Sequence, residues 1–258
     1  MPFSAVRIGC LFVALMGLCV NARAAEPLRV GTAADYPPLV FLKGSEVVGM
    51  EADMARLLEA QLGRPLQFKV MTDADLLSAL DKGDIDLVMS GWRVTPERQQ
   101  IASFADGYVT AGLMAIIRTD DVMRFHSPAA MLRPGYKLAV PNGRDPAAAA
   151  QYAKDNFPQA TLVPVASSAE GLQALLDKRA DVFLDDASTS WIIATDPRYG
   201  ALMSLGRLLT EERLAWAVRK GDTELLSRLD RALQVLRQTG VLNHVYNRWI
   251  PMSSTSAD

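Results

Sequence analysis

The chain of 258 residues sets 27 lysines and arginines against 29 aspartates and glutamates, a formal charge of −2, which argues against a nucleic-acid binder with its basic excess. Half of the residues are hydrophobic and 22% are charged, a globular composition that excludes bulk disorder, collagen and coiled coil. Two cysteines and two histidines are too few for a disulfide framework or a Cys/His zinc site.

Arg7 opens the chain with positive charge, and Ile8 to Val20 is an apolar run shorter than the roughly 20 residues that span a bilayer. Ala22-Arg23-Ala24 then supplies the small-x-small pattern of a cleavage site. Residues 1–24 are therefore expected to be a signal peptide removed before Ala25, the alternative being an N-terminal anchor or a buried helix. Both cysteines, Cys10 and Cys19, lie in this segment, and neither position suits lipoprotein processing. Removing 24 residues from 258 leaves 234. Losing Arg7 and Arg23 leaves 25 basic residues against 29 acidic ones, a charge of −4. The expected product is an exported, soluble, thiol-free protein, which suits an oxidising compartment.

Leu28 to Thr32 reads as a buried strand, and Ala33 to Pro38 as a loop, since its two prolines disfavour helix. Leu39 to Lys43 and Glu46 to Gly49 flank Gly44-Ser45, a hairpin signal. The spacing of Met54, Leu57, Leu58 and Leu62 predicts an amphipathic helix over 51–62, stopped by Gly63. A strand over 66–71, a helix over 73–81, a strand over 85–89 and a helix opened by Thr95-Pro96-Glu97 follow. The alternation then repeats: strand 137–140, helix 147–156, strand 161–165, helix 168–178, strand 181–184. A late strand over 214–218 and a long helix over 223–239, stopped by Gly240, complete the pattern. Strands alternating with helices imply parallel sheets with crossovers. Two such units imply two lobes with a cleft between them.

The motifs GTAADYPPL (31–39), GMEADMARLLEAQLG (49–63), GDIDLVMSGWRVTPERQQIASFADGYV (83–109), KRADVFLDD (178–186), LAWAVRKGD (214–222) and GVLNHVYNRW (240–249) together resemble the bacterial extracellular solute-binding proteins, family 3, typified by periplasmic amino-acid receptors of ABC transporters. The resemblance implies an α/β, two-lobed venus-flytrap of the type II periplasmic binding protein fold. It would have two parallel or mixed sheets flanked by helices and a two-strand hinge. Lobe 1 would comprise 25–108 and the return segment 214–258. Lobe 2 would be 109–213, with hinge crossings at its ends. A ligand in the cleft would favour the closed state.

The same resemblance assigns roles to residues. Arg98 matches the grip on the ligand's carboxylate, and its guanidinium can make two parallel charge-assisted bonds; the alternative is an exposed helix arginine beside Glu97. Asp186 matches the partner of an α-ammonium, the alternative being a helix N-cap, and Asp185 could substitute. Tyr36 matches the aromatic that covers the ligand, and Trp92 is a second candidate wall. Gly91 lets ligand and backbone approach closely. Gly143 precedes a helix N-terminus, a natural anion site.

The pattern departs from the family at Ala33, at Met50 where an aromatic is usual, at Arg93 where threonine is usual, and at Gly143-Arg144-Asp145. Met50, Arg93 and Arg144 are accordingly candidate ligand-side residues. If Arg93, Arg98 and Arg144 face one cleft, the ligand carries extra negative charge, as a dicarboxylate does; alternatively, Arg93 and Arg144 pair with Asp35 and Asp145 or face solvent. The expected function is capture of an amino acid or related carboxylate, a dicarboxylate included, by a monomeric periplasmic receptor without cofactor or metal, for the membrane permease of an ABC transporter. Two rivals stand beside it. One is a cyclohexadienyl (prephenate or arogenate) dehydratase-like enzyme using Glu211 or Glu212 as acid. The other is a sensory or accessory binding protein. No hydrolase nucleophile, P-loop, metal or dinucleotide motif is present.

Overall fold

The segment LRVGT forms the strand Leu28–Thr32, which buries Leu28 and Val30 in the first core on one face, while Gly31 lets Ile85 and Leu76 close over the other. The computed structural model describes residues 25–141 and 146–250; the expected signal peptide, Gly143 and Arg144 lie outside the described residues. Leu28–Thr32 takes Leu66–Val70 and Leu87–Val88 as parallel neighbours. Parallel neighbours need crossovers, and the helices Met50–Leu62 and Asp73–Lys82 supply them. The first helix ends at Gly63 in the left-handed conformation.

This first sheet runs Leu66–Val70, Leu28–Thr32, Leu87–Val88, Ala217–Arg219, Ala102–Phe104. Ala217–Arg219 lies antiparallel to both of its neighbours, so the sheet is mixed. The second sheet repeats the plan, in the order Thr161–Val165, Lys137–Pro141, Val182–Asp186, Leu113–Arg118, Leu202–Leu208. Its first three strands are parallel, and Leu113–Arg118 is antiparallel to both neighbours. Each sheet has its own core. Met54, Leu58, Trp216, Leu229 and Leu233 are fully buried around the first, where the helices Thr223–Gln238 and Val241–Trp249 pack back on Met50–Leu62. Leu138, Val182, Leu172 and Phe183 are fully buried around the second. Asp222 caps the long C-terminal helix by accepting from the Leu225 N–H at 3.1 Å.

Between the sheets, Val109–Ala111 and Glu212–Leu214 pair antiparallel as a two-stranded ribbon. The strand expected over 214–218 is thus two strands, one in the ribbon and one in the first sheet. Beside the ribbon, a Cβ on Gly112 would lie 1.8 Å from the Thr210 carbonyl oxygen, so only glycine lets the two crossings approach this closely. Among the described residues no helix is long and apolar enough to cross a membrane.

Candidate functional site

The first-sheet wall of the site is built on the turn after Leu87–Val88. Gly91 has φ +63°, and a Cβ there would stand 2.5 Å from the Tyr36 ring; glycine is what brings that ring against the turn. The Gly91 N–H donates to Glu51 Oε1 at 2.9 Å, and the Tyr108 hydroxyl donates to the same oxygen. Glu51 is fully buried in the first turn of Met50–Leu62, where the helix N-terminus favours a negative charge. The following backbone is fastened to the return crossing: Ala215 N–H donates to Trp92 O at 3.0 Å and Val94 N–H to Arg213 O at 3.2 Å. Arg93 therefore projects from a clamped stretch of main chain.

Its guanidinium reaches across to the second sheet. Arg93 Nη2 donates to Asp186 Oδ2 at 2.7 Å, and Nε donates to Glu212. Asp186 ends the strand Val182–Asp186, and its other carboxylate oxygen accepts from the Ser188 N–H at 2.9 Å. Asp186 thus both shapes the turn into the helix Thr189–Thr195 and holds Arg93. The Arg93 side chain is 19% exposed and that of Asp186 is 16% exposed. Burial on its own would lower the Arg93 pKa. The attraction of Tyr36, Asp186 and Glu212 outweighs that, and the net shift is upward. Asp185 is buried behind Asp186 and accepts from the Thr189 hydroxyl at 2.7 Å. Desolvation raises its pKa above the usual aspartate value despite hydrogen bonds from Ser168 and Thr189.

These groups line a cavity of about 390 Å³ between the two sheets, with Tyr36 and Pro37 on one wall and Ser168, Thr189 and Ile192 on the other. A second cavity of about 220 Å³ adjoins it, lined by Gly91, Trp92, Arg93, Arg98 and Asp73. The helix Pro96–Ile101 that carries Arg98 is capped by Thr95, whose hydroxyl accepts from the Arg98 N–H. The Arg98 guanidinium stacks on Trp92 at 4.5 Å. It donates to Asp73 Oδ2 and to the Arg93 carbonyl, each at 3.3 Å. Asp73 also accepts from the Trp92 indole N–H at 2.9 Å. A wider hollow of about 620 Å³ lies over the helix Thr223–Gln238, outside the cleft; its Arg237 pairs with Asp106.

The sequence-derived candidates thus divide. Gly91, Trp92, Arg93 and Arg98 meet in the smaller cavity, and Tyr36, Arg93 and Asp186 in the larger. Among the described candidates Arg93 alone lines both. Met50 is fully buried in the first core and lines neither cavity, because it opens the helix on its inward face. Arg93 pairs with Asp186 and Glu212, and Arg98 lies in the adjoining cavity with Asp73. Among the described residues, which do not include Arg144, the larger cavity carries Asp35, Asp185, Asp186 and Glu212 against Arg93, an acidic balance. The sequence offers Glu212 only as the cleft acid of the rival enzyme; its pairing with Arg93 has no local signal, because the two residues are 119 positions apart. Among the described residues no group of His, Cys, Asp and Glu is placed to hold a metal ion.

The profile of the bacterial extracellular solute-binding proteins, family 3, matches residues 28–252. The putative ABC transporter arginine-binding protein 2 of Escherichia coli K12 is 28% identical over 242 residues, 91% of this chain and 95% of that protein. The solved structure of an ancestral cationic amino-acid solute-binding protein superposes with a TM-score of 0.78 at 32% identity, covering 87% of this chain and 95% of that one. A putative ABC-transporter binding component from Wolinella succinogenes, complexed with lysine, superposes with a TM-score of 0.74 at 26% identity, covering 89% and 97%.

Proposed function

The chain belongs to the bacterial extracellular solute-binding proteins, family 3, with the type II periplasmic binding protein fold and no enzymatic role, and on that premise we propose that it captures a cationic amino acid in the cleft between its lobes for an ABC transporter. The observation that carries this reading is the acidic excess among the described residues of the larger cavity, Asp35, Asp186 and Glu212 around Tyr36 against the single cation Arg93. Opposite charge at close range favours a cationic ligand group, and the face of Tyr36 can support it by cation–π attraction. Arg98, with its planar fork at the adjoining cavity, is suited to the ligand's carboxylate. The arginine-binding, cationic and lysine-complexed relatives support the same ligand class. A dicarboxylate would add negative charge to a lining that already carries it, so the charge balance weighs against that ligand.

In this reading the ribbon of Val109–Ala111 and Glu212–Leu214 is the hinge, and residues 25–108 with 214–258 move as one lobe against 109–213. The protein is a periplasmic monomer that delivers its ligand to a membrane permease. The test is a thermal-shift screen of residues 25–258 with arginine, lysine, histidine, glutamine, aspartate and glutamate. A ligand at 100 times its dissociation constant adds about 2.7 kcal/mol of stability. Stabilisation by arginine or lysine is expected. Stabilisation by aspartate or glutamate alone would overturn the proposal.

A further inference from the structure

Arg93 carries, on a tether, the chemical group that the acidic cavity is suited to receive. Its guanidinium is rooted in main chain fastened to the Arg213–Ala215 segment and donates to Asp186 at the end of a second-sheet strand and to Glu212 in the connecting ribbon. It is four-fifths buried there. A guanidinium held by two carboxylates in a partly dry site makes strong charge-assisted bonds. The Arg98 guanidinium donates to the Arg93 carbonyl from behind, which keeps the root of the tether in place. A second contact spans the same opening. Phe41, on the first-lobe hairpin strand Val40–Lys43, stands 6.0 Å from Trp191 of the helix Thr189–Thr195, ring centre to ring centre.

We propose that Arg93 is a tethered counter-ion: its guanidinium occupies the carboxylates that a cationic ligand group would use, ties the two lobes together without ligand, and sets the affinity because a ligand must displace it. The inference rests on the proposed cationic amino-acid reading for its ligand class, but the tie between the lobes stands independently of which ligand binds. The state with Arg93 on Asp186 and Glu212 competes with ligand, so the apparent affinity is reduced by the fraction of protein in which Arg93 has swung away. Since Arg93 lines both cavities, its departure also joins the space at Arg98 to the space at Asp186. An amino acid held at both its carboxylate and its cationic end needs that joined space.

The experiment has two arms on residues 25–258, comparing the unsubstituted protein with Arg93→Ala. Small-angle scattering without ligand reads the tie between the lobes: the variant is expected to have a larger radius of gyration, and an unchanged radius overturns the proposal. Glu212→Gln, which removes one partner while keeping Arg93, is the second variant for this arm and is expected to shift in the same direction. Calorimetry with L-arginine and L-lysine reads the competition: Arg93→Ala is expected to bind about tenfold more tightly, corresponding to a displaced state about one-tenth populated. Equal or weaker binding in the variant overturns the proposal, because Arg93 would then be a bystander or a ligand contact. If neither protein binds a cationic amino acid, the ligand reading fails and the scattering arm alone decides whether Arg93 ties the lobes.

Discussion

Arg98 and Asp185 are two charged residues that the fold treats in opposite ways. Arg98 is held by a ring face and a carboxylate yet still lines a cavity, so it has the support that a positioned ligand contact needs. Arg98→Ala should cost about 2–5 kcal/mol of ligand affinity, the usual result of removing one member of a desolvated hydrogen-bonded charge pair. Calorimetry with the ligand found in the screen checks this, and a loss below about 0.7 kcal/mol, roughly threefold, would leave Arg98 a structural role only. Asp185 is buried, and desolvation holds its pKa above the ordinary value. The folded protein therefore binds this proton more tightly than the unfolded chain. Its stabilising contribution is complete below the unfolded pKa and is lost as pH rises through the folded one. Asp185→Asn, which cannot ionise, should gain melting temperature relative to the unsubstituted protein as the pH is raised from about 4 towards 8. A difference between the two melting curves that does not change with pH would refute it.

At the scale of elements, the helix Met50–Leu62 shows what periodicity can deliver. Met54, Leu58 and Leu62 are buried on the face their spacing predicts, and Leu57 packs at its edge. The strand Leu113–Arg118 shows the opposite. LMAIIR is apolar and buried at its first five positions, so no alternation distinguishes it from a helix or from a crossing segment. The late strand expected over 214–218 divides because the chain leaves the ribbon at Leu214 and joins the first sheet at Ala217. Next to the ribbon, the Gly112 contact with Thr210 has a consequence for motion. Gly112→Ala forces the two crossings apart beside the proposed hinge. It is expected to lower the melting temperature and to weaken ligand binding, both read in the same thermal-shift titration. Unchanged melting and affinity would show that the crossings yield at no cost.

At the scale of the whole molecule, two mixed sheets, each with three parallel strands followed by an antiparallel one, meet at one ribbon, and the cleft between them gathers charge from both. In the proposed reading this arrangement couples binding to closure, because contacts on both walls are complete only when the walls approach. For the chain as exported, intact-mass analysis of a periplasmic extract should find a protein beginning at Ala25. A mass that retains residues 1–24, or a lipid adduct, would contradict it.

Residue patterns along the chain were enough for the alternation of strands and helices and the expectation of two α/β units, while the candidacy of Arg98, Gly91, Tyr36 and Asp186 came through the family resemblance that their motifs carry. Each of these depends on local spacing, on side-chain size or on motifs confined to a few neighbouring positions. The sign of the larger cavity, the pairing of Arg93 with Asp186 and Glu212, and the burial of Met50 were decided only by the tertiary structure. Arg93 and Asp186 are separated by 93 residues, and Arg93 and Glu212 by 119. An electrostatic interaction depends on distance in space and on the water excluded around it, and neither is written in the order of the chain. The sequence therefore leaves open whether Arg93 faces a ligand or pairs with a carboxylate, whereas the fold sets it against Asp186 and Glu212.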